Sequence, residues 1–206
     1  MMSSSLPILY HVPNSCSEAC ISAFNLCGIS HDISLVDYST KILSDGRSFL
    51  DKNPLGQVSA LELPDGRIIT ENVAILLWAN ENDKNGFSIE PSDVNFYALV
   101  SWLSFCSSEL HRLILWPLVR PDMPSDYVAY LQPYILSRLK ILETELSSSD
   151  FIIGEKMSVA DSYLTWFIGF LKRLMPDILS GYDNIRAYEG SVKTANARRS
   201  QVFVIM

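Results

Sequence analysis

Asn53-Pro54-Leu55-Gly56-Gln57-Val58-Ser59-Ala60-Leu61-Glu62-Leu63-Pro64-Asp65-Gly66-Arg67-Ile68-Ile69-Thr70-Glu71-Asn72 is the stretch on which the fold turns. Asn53 to Gly56 is turn chemistry. Leu61-Glu62-Leu63 and Arg67–Thr70 flank Pro64-Asp65-Gly66, the pattern of two short strands joined by a hairpin loop. Apolar residues from Glu71 to Ala79 then take helical spacing, with Thr70 as the expected N-cap. Upstream, Ile8–His11 reads as a buried strand. Asn14 or Ser15 caps a helix to about Leu26 that Gly28 stops, and Asp32–Asp37 alternates like a second strand. The order β-α-β-(loop or short helix)-β-β-α is that of a small mixed sheet covered by helices.

Beyond Asn80 the pattern changes. Asp83–Asp93, with Gly86 and Pro91, reads as a polar linker. Long helical periods follow at about Ser92–Trp116, Ser125–Leu146, Ser158–Leu174 and Asp183–Ala195, with no strand among them. The expected division is residues 1–81, a linker at 82–92, and an all-helical part at 93–206. Ser158-x-x-Asp161 has the form of a capping box, which makes Asp161 a folding residue.

Composition narrows the function. The 206 residues are 48% apolar and 19% charged, which excludes a disordered or fibrous chain. A formal net charge of −7 disfavours binding to nucleic acid or to an anionic membrane surface, since there is no surplus of positive charge to meet phosphates. No apolar run is long enough to cross a bilayer. Met1 to Pro7 lacks the basic and apolar regions of a signal peptide. The four cysteines, Cys16, Cys20, Cys27 and Cys106, show no C-x-x-C pair. That spacing points to reduced thiols in the cytoplasm and to no metal site.

Several segments carry chemistry. Cys16 arrives in the first turn of a helix, where free amides and the helix dipole favour a thiolate. It is equally readable as core, as Cys20 and Cys27 on the same stripe are. At Thr70-Glu71-Asn72 the helix start offers amides to a carboxylate and Glu71 offers a charge to an ammonium group, a pairing that suits an α-amino acid moiety. The same residues also serve as ordinary capping. Ser101, Ser104, Ser108 and His111 recur at helical spacing, either as the lining of a wet cleft or as a solvated face.

Taken in order, Asn53-Pro-x-Gly-Gln-Val, Asp65-Gly66 with Thr70-Glu71 soon after, and Gly154 with Ala160-Asp161 resemble a glutathione S-transferase. Cys16, Glu109-Leu110-His111, Pro117 and Arg120-Pro121-Asp122-x-Pro124 resemble the bacterial beta class in particular. The resemblance runs from about Leu6 to about Val202. It implies a thioredoxin-like N-terminal domain that binds glutathione as co-substrate, a helical-bundle C-terminal domain that takes a small hydrophobic electrophile, and a homodimer.

Carried over by position, Cys16 and His111 stand at the glutathione sulfur, and Cys16 adds thiol–disulfide chemistry. Lys41 pairs with a glutathione carboxylate, and Val58 bonds the cysteinyl backbone. Glu71 and Asn72 hold the γ-glutamyl end. Ser104 and Ser108 are cleft contacts, and Arg112 stands where the family often has Lys. Three positions depart from the pattern. Ser59 replaces a cis-proline, Asn72 replaces a smaller residue, and Ser104 stands where close relatives often have Asn. The Val58–Ser59 bond is then either cis, or trans with the Val58 amide aimed elsewhere. The alternative to a transferase is a non-catalytic ligand-binding or regulatory protein on the same fold.

Overall fold

The computed structural model describes residues 6–202. The signal-peptide reading at Met1–Ser5 falls outside the described residues. The chain divides into two compact units, Met1–Glu90 and Pro91–Met206.

The first unit is a five-stranded mixed sheet with helices, thioredoxin-like in arrangement. Its elements are β1 (Ile8–His11), α1 (Ser17–Leu26), β2 (Asp32–Asp37), β3 (Ile42–Leu43), β4 (Ala60–Glu62), β5 (Ile68–Thr70) and α2 (Asn72–Glu81), in the strand order β3-β2-β1-β4-β5. β1 and β2 are parallel, as a helical crossover requires, and the other pairings are antiparallel. β3 is a two-residue strand in the region expected to be a loop or short helix, too short for alternation to reveal.

Alternation along the strands divides the core in two. Tyr10 and Ala60 join Val36, Leu43 and Phe49 on one face. Leu9 and Leu61, neighbours across the β1–β4 ladder, are fully buried with opposite pleat, and α1 and α2 pack together against the sheet. Gly28 follows the C-cap of α1 at a φ of +65°, which favours glycine, and an added Cβ would come within 2.9 Å of the Asn85 side chain.

The expected linker is fastened to this first unit. The Lys84 N–H donates to the Cys27 carbonyl, Asn85 Nδ2 to the Leu26 carbonyl, and the Phe87 and Ser88 N–H groups to the Asp83 carboxylate. Asn80 bonds Ile89 through both its amide atoms.

The second unit holds α3 (Phe96–Phe105), a π-helical segment (Cys106–Leu115), α4 (Trp116–Leu118), α5 (Ser125–Glu145), α6 (Val159–Leu174) and α7 (Asp183–Val202). The helix expected as one run over Ser92–Trp116 therefore changes hydrogen-bonding pattern at Cys106. At its end the Trp116 N–H reaches the His111 carbonyl five residues back. No helix among the described residues is long and apolar enough to cross a membrane.

Asp161 is fully buried at the start of α6 and completes the capping box. Its carboxylate accepts from the Ser158 N–H (2.7 Å), the Ile152 N–H (2.9 Å), the Ser158 hydroxyl (3.0 Å) and the Tyr188 hydroxyl (3.0 Å). One side chain thus ties α6 to the preceding loop and to α7. Asp161→Ala leaves several buried donors unpaired at once, and denaturant unfolding should register a loss of about 3 kcal/mol or more.

Candidate functional site

Register brings three chain segments to one end of the sheet. Tyr10 pairs with Ala60 and Ala60 with Thr70. The residues following β1, preceding β4 and following β5 therefore share that end, which holds Cys16, Val58, Ser59, Glu71 and Asn72.

The Val58–Ser59 peptide bond is cis. The Ser59 hydroxyl donates to Asn72 Oδ1 at 2.6 Å, and Asn72 Nδ2 donates to the Cys16 carbonyl at 2.9 Å. The Cys20 thiol lies 3.6 Å from both Ser59 Oγ and Asn72 Oδ1. Two residues that depart from the family pattern, Ser59 and Asn72, are thus each other's partners. Asn72 stands at the helix start whose amides the sequence reading offers to a carboxylate. Its side chain is buried and turned to Ser59 and Cys16, so what it offers a ligand is its backbone N–H in the first turn of α2.

Cys16 departs from the thiolate reading and agrees with the core one. It occupies the N-cap position of α1, but it is only 8% exposed and its thiol donates to the Val58 carbonyl at 3.4 Å. Burial pushes the thiol up to about 12, outweighing the favourable bonds from Ser59. The helix-dipole argument for a thiolate fails here because the desolvation of a buried anion is the larger effect.

Val58 keeps its N–H without a protein acceptor among the described residues. Glu71 is exposed at a φ of +71° and is itself the N-cap of α2, without a side-chain cap bond. Thr70, expected there, is the last residue of β5. Lys41 sits at a φ of +59° with its ammonium 3.5 Å from the Tyr38 ring centroid, and partial burial lowers its pKa. Its stem runs beside Gly56, where an added Cβ would come within 3.3 Å of Lys41 Cε. This places Lys41 against the same loop that carries Val58.

A neighbouring group escaped the sequence reading. His11 Nδ1 lies 2.7 Å from Ser17 Oγ, which lies 2.7 Å from Ser15 Oγ. Only the pattern His11-x-x-x-Ser15-Cys16-Ser17 across a strand–turn–helix could have hinted at it.

In the second unit, the Ser108 hydroxyl donates to the Ser104 carbonyl at 2.9 Å, and both residues are exposed. His111 leaves the stripe expected of it. It is turned to α6, with Nδ1 2.9 Å from the Tyr163 hydroxyl and its ring 4.9 Å from that of Trp166. Burial, with the nearby Arg112 charge, lowers its pKa to about 4, so the imidazole is neutral at neutral pH. Arg112 is exposed, 5.1 Å from the Trp116 ring. Glu109 is committed to Arg138 (2.6 Å) and to the Tyr134 hydroxyl, which hold its carboxyl low. Among the described residues, no three His, Cys, Asp or Glu gather as a metal site.

Residues 15–82 match the model for the glutathione S-transferase N-terminal domain, and residues 105–192 match that for its C-terminal domain. Glutathione S-transferase GstA of Escherichia coli O157:H7 is 31% identical over 157 residues, 76% of this chain and 78% of that one. The chain belongs to the glutathione S-transferase family. A bacterial beta class transferase from Sphingomonas chungbukensis is 32% identical with a TM-score of 0.83, over 93% of this chain and 98% of that one. A sphingomonad glutathione S-transferase complexed with glutathione has a TM-score of 0.84 at 32% identity, over 90% of this chain and 92% of that one. The beta class resemblance carried by Cys16 and Glu109-Leu110-His111 agrees with these neighbours.

Two outcomes test this geometry. Ser59→Ala removes the donor to buried Asn72 Oδ1 and should lower stability by about 1–3 kcal/mol in urea unfolding. His111 binds its proton more weakly folded than unfolded, so stability rises with pH between about 4 and 6.5 and is lost as pH falls through that window. The effect is of order 3 kcal/mol, and His111→Gln should flatten the slope there.

Proposed function

We propose that this protein joins glutathione to a hydrophobic electrophile. The observation that carries the proposal is the pairing, at one end of the sheet, of an exposed Glu71 heading α2 with a Val58 N–H, on the adjoining loop, that has no protein acceptor among the described residues. In this reading the α2 amides, that of Asn72 among them, receive the γ-glutamyl carboxylate, and Glu71 holds the ammonium group. The Val58 N–H pairs with the cysteinyl backbone, and Lys41 meets the glycyl carboxylate. Family resemblance supports Ser104, Ser108, His111 and Arg112 as the helical unit's contribution. It also supports the homodimer. The His111 ring, neutral and hydrogen-bonded to Tyr163, suits a polar contact better than a cationic one.

The chemistry required is modest. A free thiol has a pKa of about 8.5, so little is thiolate at neutral pH. Lowering it by about one unit needs roughly 1.4 kcal/mol of preference for the anion, within reach of one or two hydrogen bonds at a helix start. Holding the sulfur against an apolar acceptor supplies the rest through proximity. A buried, protonated Cys16 favours conjugation over thiol–disulfide exchange, which needs an accessible thiolate.

Calorimetry with glutathione and turnover of a chloronitrobenzene acceptor test the proposal together. Saturable binding and a rate above background are expected. Glu71→Gln should weaken glutathione binding roughly tenfold to a hundredfold, the usual effect of losing a charged hydrogen bond. Absence of both binding and turnover in the wild-type protein would favour the non-catalytic alternative.

A further inference from the structure

Asn85-Gly86 is the one asparagine–glycine pair in the sequence. Such a pair is chemically unstable in water, because no Cβ on the glycine keeps its nitrogen from the asparagine carboxamide carbon. Here the same pair also holds structure together. Asn85 Nδ2 donates to the Leu26 carbonyl at 2.8 Å, and beside it the Lys84 N–H donates to the Cys27 carbonyl at 2.9 Å. The Asn85 carboxamide lies over Gly28, where an added Cβ would stand 2.9 Å from both Nδ2 and Oδ1. This carboxamide thus fastens the segment after α2 to the end of α1. The amides around it are mostly claimed. The Asp83 carboxylate accepts from the N–H groups of Asn85 (3.0 Å), Phe87 and Ser88 (2.9 Å). The Gly86 N–H, lying between them in the chain, has no protein acceptor among the described residues. Gly86 is exposed at a φ of +82°, with nothing within 4 Å of where a Cβ would stand. The nitrogen that attacks is therefore open to water, while the group it attacks is held by Leu26.

We propose that Asn85 is a one-way latch: it deamidates when its bond to Leu26 opens, and the deamidated chain cannot refasten. The Gly86 N–H gives its proton to hydroxide, and the nitrogen forms a bond to Asn85 Cγ. The Cγ–Nδ2 bond breaks, and Nδ2 leaves as ammonia with a proton returned by water. Water then opens the resulting imide ring. Attack at Cγ leaves aspartate, and attack at the main-chain carbonyl carbon leaves isoaspartate. Water enters, ammonia leaves, and nothing is oxidised or reduced. Neither product has a donor for the Leu26 carbonyl. Both carry a carboxylate instead, which the negative end of α1 repels. Isoaspartate also lengthens the main chain by a methylene between amides that Asp83 holds.

The test incubates the full chain at mildly alkaline pH, native and in urea, and follows its peptides by mass spectrometry, with isoaspartate told from aspartate by its separate elution. Asn85 should convert ahead of every other asparagine, to both acids, and several-fold more slowly in the native chain than in urea. Gly28→Ala, whose methyl displaces the carboxamide, should speed the native reaction several-fold. Gly86→Ala, whose methyl shields the nitrogen, should slow it several-fold. Asn85→Asp, made directly, should raise hydrogen exchange at the Lys84 amide several-fold, because the bond beside the latch then opens more often. Equal rates native and in urea overturn the proposal, since the bond to Leu26 then gates nothing. A native chain that keeps Asn85 intact while the chain in urea converts fully overturns it too, since the latch then never opens. So does unchanged Lys84 exchange in Asn85→Asp, which needs no Gly28 variant to fold.

Discussion

One buried carboxamide fixes the end of the sheet where the site lies. Asn72 accepts from Ser59 and donates to the Cys16 carbonyl, and so joins three stretches of chain. The loop before β4, the start of α1 and the start of α2 are then held in one arrangement. Because all these atoms are away from water, each bond is strong and each missing partner expensive. A smaller residue at position 72 could not span the distance, and a proline at 59 would have no hydroxyl to offer, so the two departures make sense only as a pair.

Much of this was legible in the sequence because it rests on local rules. The hairpin around Pro64-Asp65-Gly66, the stop at Gly28 and the capping box at Ser158–Asp161 are short-range patterns with short-range causes, and the structure has all three. Helices α5 and α6 also lie where their periods put them. The beta class motifs went further, since they carried family and fold together.

What escaped the sequence depends on burial and on contacts far apart in the chain. The dipole rule favours a Cys16 thiolate, yet the thiol is buried against the Val58 carbonyl, more than forty positions away, and burial raises its pKa. Thr70 has the chemistry of a cap, but the β4–β5 ladder claims it and passes the cap to Glu71. The serine stripe assumed α-helical spacing up to His111. The π-helical pattern from Cys106 changes the phase, and the imidazole turns to Tyr163 on α6. None of these outcomes can be read from a window of neighbouring residues.

The cysteines have a practical consequence. All four are buried and outside any disulfide, three in the first unit and Cys106 in the second. An alkylating reagent can therefore modify them only when the surrounding structure opens. Mass spectrometry of the labelled peptides would then time the opening of each unit separately, using reporters that the native chain already contains.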